Sequence, residues 1–196
     1  MTPSSLFTVP IWDDVYPEYA LEKDDLVTKM KNYVSKNPQL TRSNVAGKHS
    51  STLVHQQPEF KKLFDYITLQ VNQAAESIGM RGVLTIMESW ININDTQGAF
   101  NLQHIHGGVL SGTFYVQVPT GSGQLYLTNP APIHLWEGFN VCPERNHFFS
   151  ETIEVNPIEG TVLIWPSYLP HTVGPNKDNV ERISVAFNTT ILKDIT

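Results

Sequence analysis

The chain has 196 residues, a formal net charge of −6, and 16% charged against 40% hydrophobic residues. That length suits one domain with a sizeable core, and so sparse a charge rests function on a few placed groups. No basic block is present to neutralise a row of phosphates, which argues against sequence-independent nucleic-acid binding.

The opening stretch "MTPSSLFTVPIW" lacks a basic segment followed by a long apolar one, and no apolar run later in the chain reaches membrane-spanning length. A soluble, cytoplasmic protein is the expectation. "ALEKDDLVTKMKNYVSK" repeats apolar residues at Leu21, Leu26, Val27, Met30, Tyr33 and Val34, a helical stripe. Asn37-Pro38 ends it, because proline disfavours helix in the residue before it. "PEFKKLFDYITLQVNQAAESIGM" predicts a second helix, with Pro58 in its first turn and Gly79 at its stop. Its buried face is Phe60, Leu63, Phe64, Ile67, Val71 and Ala74.

From Arg81 onward the pattern changes. "VLTIMESWININ", "VLSGTFYVQV", "GQLYLTN", "HFFSETIEVN", "GTVLIWP" and "RISVAFNTT" are rich in β-branched and aromatic residues, with Gly, Pro, Asn and Asp between them. Strands in series without helices between them predict an antiparallel sandwich or jelly roll. Residues 130–145 read as an irregular insert holding His134, Trp136 and Cys142, the lone cysteine, so no internal disulfide is possible. The chain is expected to be one domain: a helical part over 1–80, packed on the outside of one sheet, and a β core over 81–196. Open sheet edges make a homodimer plausible.

"NLQHIHGGVLSG" carries His104 and His106. Residues i and i+2 of a strand face the same side, so both imidazoles can take adjacent corners of one metal's coordination sphere. Alone, such a pair is more often two hydrogen-bonded polar residues at a strand end. The third ligand would be His171 in "GTVLIWPSYLPHTV", returned to the same mouth by a loop. His49, His55, His134 and His147 lack this spacing and are taken as non-ligands, His49 least firmly. Eleven residues after His171 comes "RISVAFN", where Arg182 and Ser184 alternate with Ile183 and Val185. An arginine on an inward strand face is expensive to bury without an anion, and its planar fork matches a carboxylate. Ser184 and Tyr115 would add hydroxyls. Taken alone, Arg182 would pair with a surface acid.

Together these residues resemble the iron(II)- and 2-oxoglutarate-dependent oxygenases, whose double-stranded β-helix is a jelly-roll variant. The family pattern is His-x-Asp/Glu, a distant His, then Arg-x-Ser. A closer resemblance is to a subgroup of such oxygenases of unassigned function seen in marine bacteria and phages. It extends over most of the chain: "SNVAGKHSS", "W-x-N", "H-x-H" followed by "LSG-x-x-Y", "PSYLPHTVGP" and "R-x-S-x-x-FN". The resemblance implies that His104, His106 and His171 bind Fe(II). It implies that Arg182, Ser184 and Tyr115 bind 2-oxoglutarate, and that Asn94 lines the same pocket with Asn101 near the metal. The activity implied is hydroxylation of a small-molecule or peptide substrate by dioxygen, with 2-oxoglutarate becoming succinate.

One departure stands out. The usual triad is two His and one carboxylate, and here the middle position is His106. Three neutral ligands leave the ion its full charge, which the 2-oxoglutarate dianion would balance. The set also suits zinc or nickel. Asp95 and Glu88 lack the spacing to supply a carboxylate. A cupin metalloprotein is the alternative on the same architecture, since Gly98 to His106 and Gly160, Pro166 and His171 match its spacings. It expects a Glu where Leu110 and Ser111 stand, and gives Arg182 and Ser184 no task. A non-enzymatic jelly-roll protein is the third reading. Substrate specificity is expected in residues 129–147, with Trp136, Asn140, Arg145 and His147, and in the "SNVAGKHSS" loop.

Overall fold

The computed structural model describes residues 7–95, 98–141 and 150–192. Two helices form where the stripes predict them, except that Leu21, expected on the buried stripe of the first, is 89% exposed in its opening turn. Helix α1 (Tyr19–Lys36) buries Leu26, Met30, Tyr33 and Val34, and Asn37, extended before Pro38, caps it by donating from Nδ2 to the Tyr33 carbonyl at 2.8 Å. Helix α2 (Lys61–Ser77) buries Leu63, Phe64, Ile67, Val71, Ala74 and Ala75. Pro58 opens a separate 3-10 turn, Pro58–Phe60, ahead of α2.

The described strands are β1 (Trp12–Val15), β2 (Asn44–Val45), β3 (Lys48–His49), β4 (Leu84–Asn94), β5 (Phe100–His104), β6 (Leu110–Gln117), β7 (Leu125–Thr128), β8 (Thr152–Val155), β9 (Thr161–Pro166), β10 (His171–Val173) and β11 (Arg182–Ile191). They form a six-stranded sheet, β1-β9-β6-β11-β4-β3, and a five-stranded sheet, β2-β5-β10-β7-β8. Neighbours within both sheets run antiparallel, which is the jelly-roll arrangement expected. Between β7 and β8 lie a 3-10 turn (Ile133–Leu135) and one helical turn, α3 (Glu137–Asn140). The insert is therefore less irregular than its composition predicts, though Cys142, Arg145 and His147 lie outside the described residues.

Period-two alternation splits the larger sheet into two faces. Ile91 and Ile93, Phe114 and Val116, Val162 and Ile164, and Ile183, Val185 and Phe187 join the buried faces of α1 and α2 in the main hydrophobic cluster. The opposite face holds a smaller cluster, with Tyr115, Leu163 and Trp165 meeting Leu125, Leu127 and Leu169. The larger apolar cluster thus lies outside the sandwich, under the helices, and the space between the sheets is shared between the smaller cluster and polar groups.

Two local features set that space. Gly112 lets β6 lie close to its neighbours: a Cβ there would fall 2.3 Å from the Phe187 ring and 2.6 Å from the Leu163 carbonyl oxygen. The β4–β11 register slips between Asn188, opposite Glu88, and Thr189, opposite Ile86. This bulge changes the alternation of β4, so that Glu88, Trp90, Asn92 and Asn94 share the inner face.

Candidate active site

His104 closes β5 and His171 opens β10, and the two are directly opposite in the ladder. His106 follows two residues later, where its N–H donates to the Ser167 carbonyl at 3.0 Å. Ring centroids are 4.3 Å apart for His104–His171, 4.8 Å for His104–His106 and 5.1 Å for His106–His171. One ligand atom from each lies within 4.8 Å of the others, the one such group among the described residues. A divalent ion with bonds of about 2.1 Å can draw these nitrogens together with small ring rotations.

The protonation states suit a metal. His104 Nδ1–H donates to the Leu102 carbonyl at 2.6 Å, and His171 Nδ1–H to the Leu169 carbonyl at 2.9 Å. Each Nε2 therefore keeps its lone pair for an ion, the outer-shell arrangement that orients metal-binding imidazoles. Burial pushes all three rings toward the neutral form. His106 falls to about 3 and His171 to about 4, with mutual repulsion of the rings adding to desolvation. His104 is lowered by burial against the opposing pull of the Leu102 carbonyl. Neutral imidazole is the form that binds metal.

Among the described residues no carboxylate joins the group. Asp95 accepts from Lys48 Nζ at 3.3 Å, and Glu88 is engaged by Asn188 Nδ2 at 2.6 Å. The middle ligand position is a histidine in space as well as in sequence.

The rest of the cavity, with about 460 Å³ of empty space counting its open mouth, is lined by the three histidines together with Asn92, Arg182 and Ser184. Asn92, Ser184 and Tyr115 lie opposite one another on β4, β11 and β6, with Arg182 two residues along on the same face. Arg182 is 2% exposed, and its guanidinium carbon sits 5.3 Å from the Tyr115 ring centroid. Four buried side-chain atoms among the described residues have no hydrogen-bond partner: Arg182 Nε, Tyr115 OH, Asn92 Oδ1 and Trp165 Nε1. Asn92, Trp165 and Arg182 line this cavity, and Tyr115 stands in the cross-strand row beside it. A buried cation and unpaired buried donors are costly in isolation, so Arg182 Nε, Tyr115 OH and Trp165 Nε1 fit a bound anion, whereas Asn92 Oδ1 can only accept. Burial pushes the Tyr115 hydroxyl up against the lowering effect of Arg182, which keeps it protonated and able to donate.

Asn94 lies opposite Arg182, is buried, and donates to Asn101 Oδ1 at 3.3 Å. Asn101 in turn donates to Ser43 Oγ at 3.2 Å. Asn101 and Ser43 line the cavity, and so does Asn92, a residue the spacing did not single out. The "W-x-N" pattern held that signal, because Trp90 and Asn92 face the same way on one strand. His49, the least firm of the non-ligands, stacks on Trp90 with ring centroids 5.3 Å apart and stays outside the triad. His55 Nδ1 meets Ser89 Oγ at 2.9 Å, away from the site.

A family model described as "Putative 2OG-Fe(II) oxygenase" matches residues 88–188. No curated protein matches the chain significantly. Among solved structures, a prolyl-4-hydroxylase from Pseudomonas putida is similar in fold, with a TM-score of 0.65 at 15% identity, covering 95% of each chain. The epimerase SnoN from nogalamycin biosynthesis, in complex with Fe3+, alpha ketoglutarate and nogalamycin RO, has a TM-score of 0.68 at 12% identity, covering 92% of this chain and 78% of that one. HygX from Streptomyces hygroscopicus, with nickel and 2-oxoglutarate bound, has a TM-score of 0.62 at 12% identity, covering 94% and 84%. At such identities the likeness is one of fold. The family match takes in just over half of the chain, from the bulge in β4 to Asn188 in β11, and on it the chain belongs to the 2OG-Fe(II) oxygenases.

Proposed function

We propose that this oxygenase holds iron(II) on His104, His106 and His171, holds the far carboxylate of 2-oxoglutarate on Arg182, Ser184 and Tyr115, and hydroxylates a small-molecule or peptide substrate. One observation supports this above the rest: three neutral imidazoles and a buried arginine whose Nε has no hydrogen-bond partner face the same cavity. When bound, iron and 2-oxoglutarate supply the oxidising chemistry, in which dioxygen is reduced, 2-oxoglutarate becomes succinate and carbon dioxide, and a C–H bond is hydroxylated.

The chain's own groups orient and shield the reactants. His104 and His171 are fixed by their Nδ1–H bonds, which leave their Nε2 lone pairs available beside His106. Arg182 offers a charge-assisted donor, strengthened by exclusion of water. Ser184 and the protonated Tyr115 complete the donor set. Asn94 acts one step back, through Asn101. Three neutral ligands and a dianion leave the loaded centre without net charge, which favours ordered binding of the co-substrate. A cupin reading leaves the buried Arg182 with nothing to bind.

No helix of the described residues is long and apolar enough to cross a membrane. A cytoplasmic setting fits a chain with one cysteine. A homodimer would pair through open edges, of which β8 is the exposed one in the smaller sheet; sedimentation velocity tests it. The whole chain is read as one domain.

The deciding measurement is succinate release from 2-oxoglutarate with added iron(II), alongside calorimetric titration of 2-oxoglutarate into the metal-loaded protein. The wild type is expected to bind 2-oxoglutarate and release succinate, and His171→Ala to release none. A metal-loaded wild type that does neither overturns the reading.

A further inference from the structure

Beside the metal triad, on its outer side, lies a groove with about 1080 Å³ of empty space. His104 and His106 form one wall, and Trp90, His49, Glu88 and Arg42 also line it. Glu88 and Arg42 are its charged side chains. Neither forms an ion pair with the other or with any described residue.

The two differ in how they are held. Arg42 is exposed. Glu88 is half-buried, and its Oε1 accepts from Asn188 Nδ2 at 2.6 Å. Asn188 Oδ1 accepts from Ser111 Oγ at 2.7 Å, and Ser111 Oγ lies 2.8 Å from Ser167 Oγ. Ser111, Ser167 and Asn188 are at most 1% exposed. The Ser167 carbonyl accepts from the His106 backbone N–H. Three motif residues without a task at the metal or the anion, the Ser of "LSG", the Ser of "PSYL" and the Asn of "FN", thus form one buried chain. That chain ties the Glu88 carboxylate to the segment presenting a metal ligand. Among the described residues nothing engages Glu88 Oε2.

We propose that Glu88 is the specificity carboxylate of the groove and that the substrate carries a cationic nitrogen, an ammonium or guanidinium, which pairs with Glu88 Oε2 next to the metal. This rests on the oxygenase reading for what is then done to the substrate. A carboxylate tethered through buried bonds gives up little freedom on pairing, and its half-buried position strengthens the attraction over that at an exposed site.

The test uses the full chain loaded with nickel(II) and 2-oxoglutarate, titrated calorimetrically with n-butylammonium, n-butylguanidinium, n-butanol and butyrate. The cations are expected to bind more tightly than butanol, and butyrate more weakly. Glu88→Gln, which keeps an oxygen for Asn188 Nδ2, is expected to weaken cation binding about tenfold and to leave n-butanol binding unchanged. Equal cation affinity in Glu88→Gln overturns the proposal, as does a wild type that binds 2-oxoglutarate yet prefers butyrate or takes no cation. Failure to bind 2-oxoglutarate would instead strike the oxygenase reading, since the cation titration can be repeated with nickel alone.

Discussion

Arg182 is the residue whose environment asks most plainly for a ligand. It is buried, its Nε is unpaired, and its guanidinium carbon lies 5.3 Å from the Tyr115 ring centroid. Arg182→Ala should therefore weaken 2-oxoglutarate binding by about 2–3 kcal/mol, roughly 30- to 150-fold in Kd. Calorimetry with the metal-loaded protein checks it, and metal affinity itself should change little. The histidines give a second prediction, for the metal-free protein. Folding lowers His106 to about 3 and His171 to about 4 from an ordinary 6.5, so the unfolded chain binds more protons below about pH 6.5. Stability is then fully present above that value and falls as the pH drops through the window toward about 4. The slope is at most about 1.4 kcal/mol per pH unit for each group. Urea midpoints of the metal-free protein should drop from about pH 7.5 to about pH 5. Bound metal should flatten the upper part of that curve, because an occupied Nε2 cannot take a proton.

Strands differ in how well their sequences announce them. β4, β6, β9 and β11 were legible because they are rich in β-branched and aromatic residues between turn formers, with alternation plain in β11. β5 and β10 were not, although they present His104 and His171. β10 is three residues long, "HTV", too short for any period, and His171 was expected on a loop. β5 reads "FNLQH", with only Asn101 buried and no apolar period, and it is held by pairing with β10 and β2. Side-chain roles at the metal could be read from spacing. The Glu88 tether could not, because a bulge in β4 decides which way that residue faces. Gly112 belongs to this scale too. Gly112→Ala should cost about 2–3 kcal/mol, since the new Cβ meets a ring and a carbonyl that are both buried. Chemical denaturation followed by tryptophan fluorescence measures that loss.

Across the whole molecule, the helices and the larger sheet share their main apolar cluster. The expected division at residue 80 does not separate helices from strands, because β1, β2 and β3 lie before it and form edges of the two sheets, and residues 1–80 and 81–196 are expected to be one folding unit. A chain beginning at Arg81 would expose Ile91, Phe114, Val162, Ile183 and Phe187 to water. It should lack a cooperative thermal transition and bind dyes specific for exposed apolar surface, whereas an independent β core would melt sharply on its own.

The alternation along β11 has a consequence for how such a protein can change over time. Ile183, Val185 and Phe187 hold the fold, while Arg182, Ser184 and Ala186 meet the cavity. Heritable change can act on one set while the other stays as it is. The inner residues are free to drift toward new ligands because the scaffold's integrity is secured on the far side of the same strand. A laboratory library confined to residues 182, 184 and 186 of β11 and 90 and 92 of β4 would explore new chemistry while keeping most of its members folded.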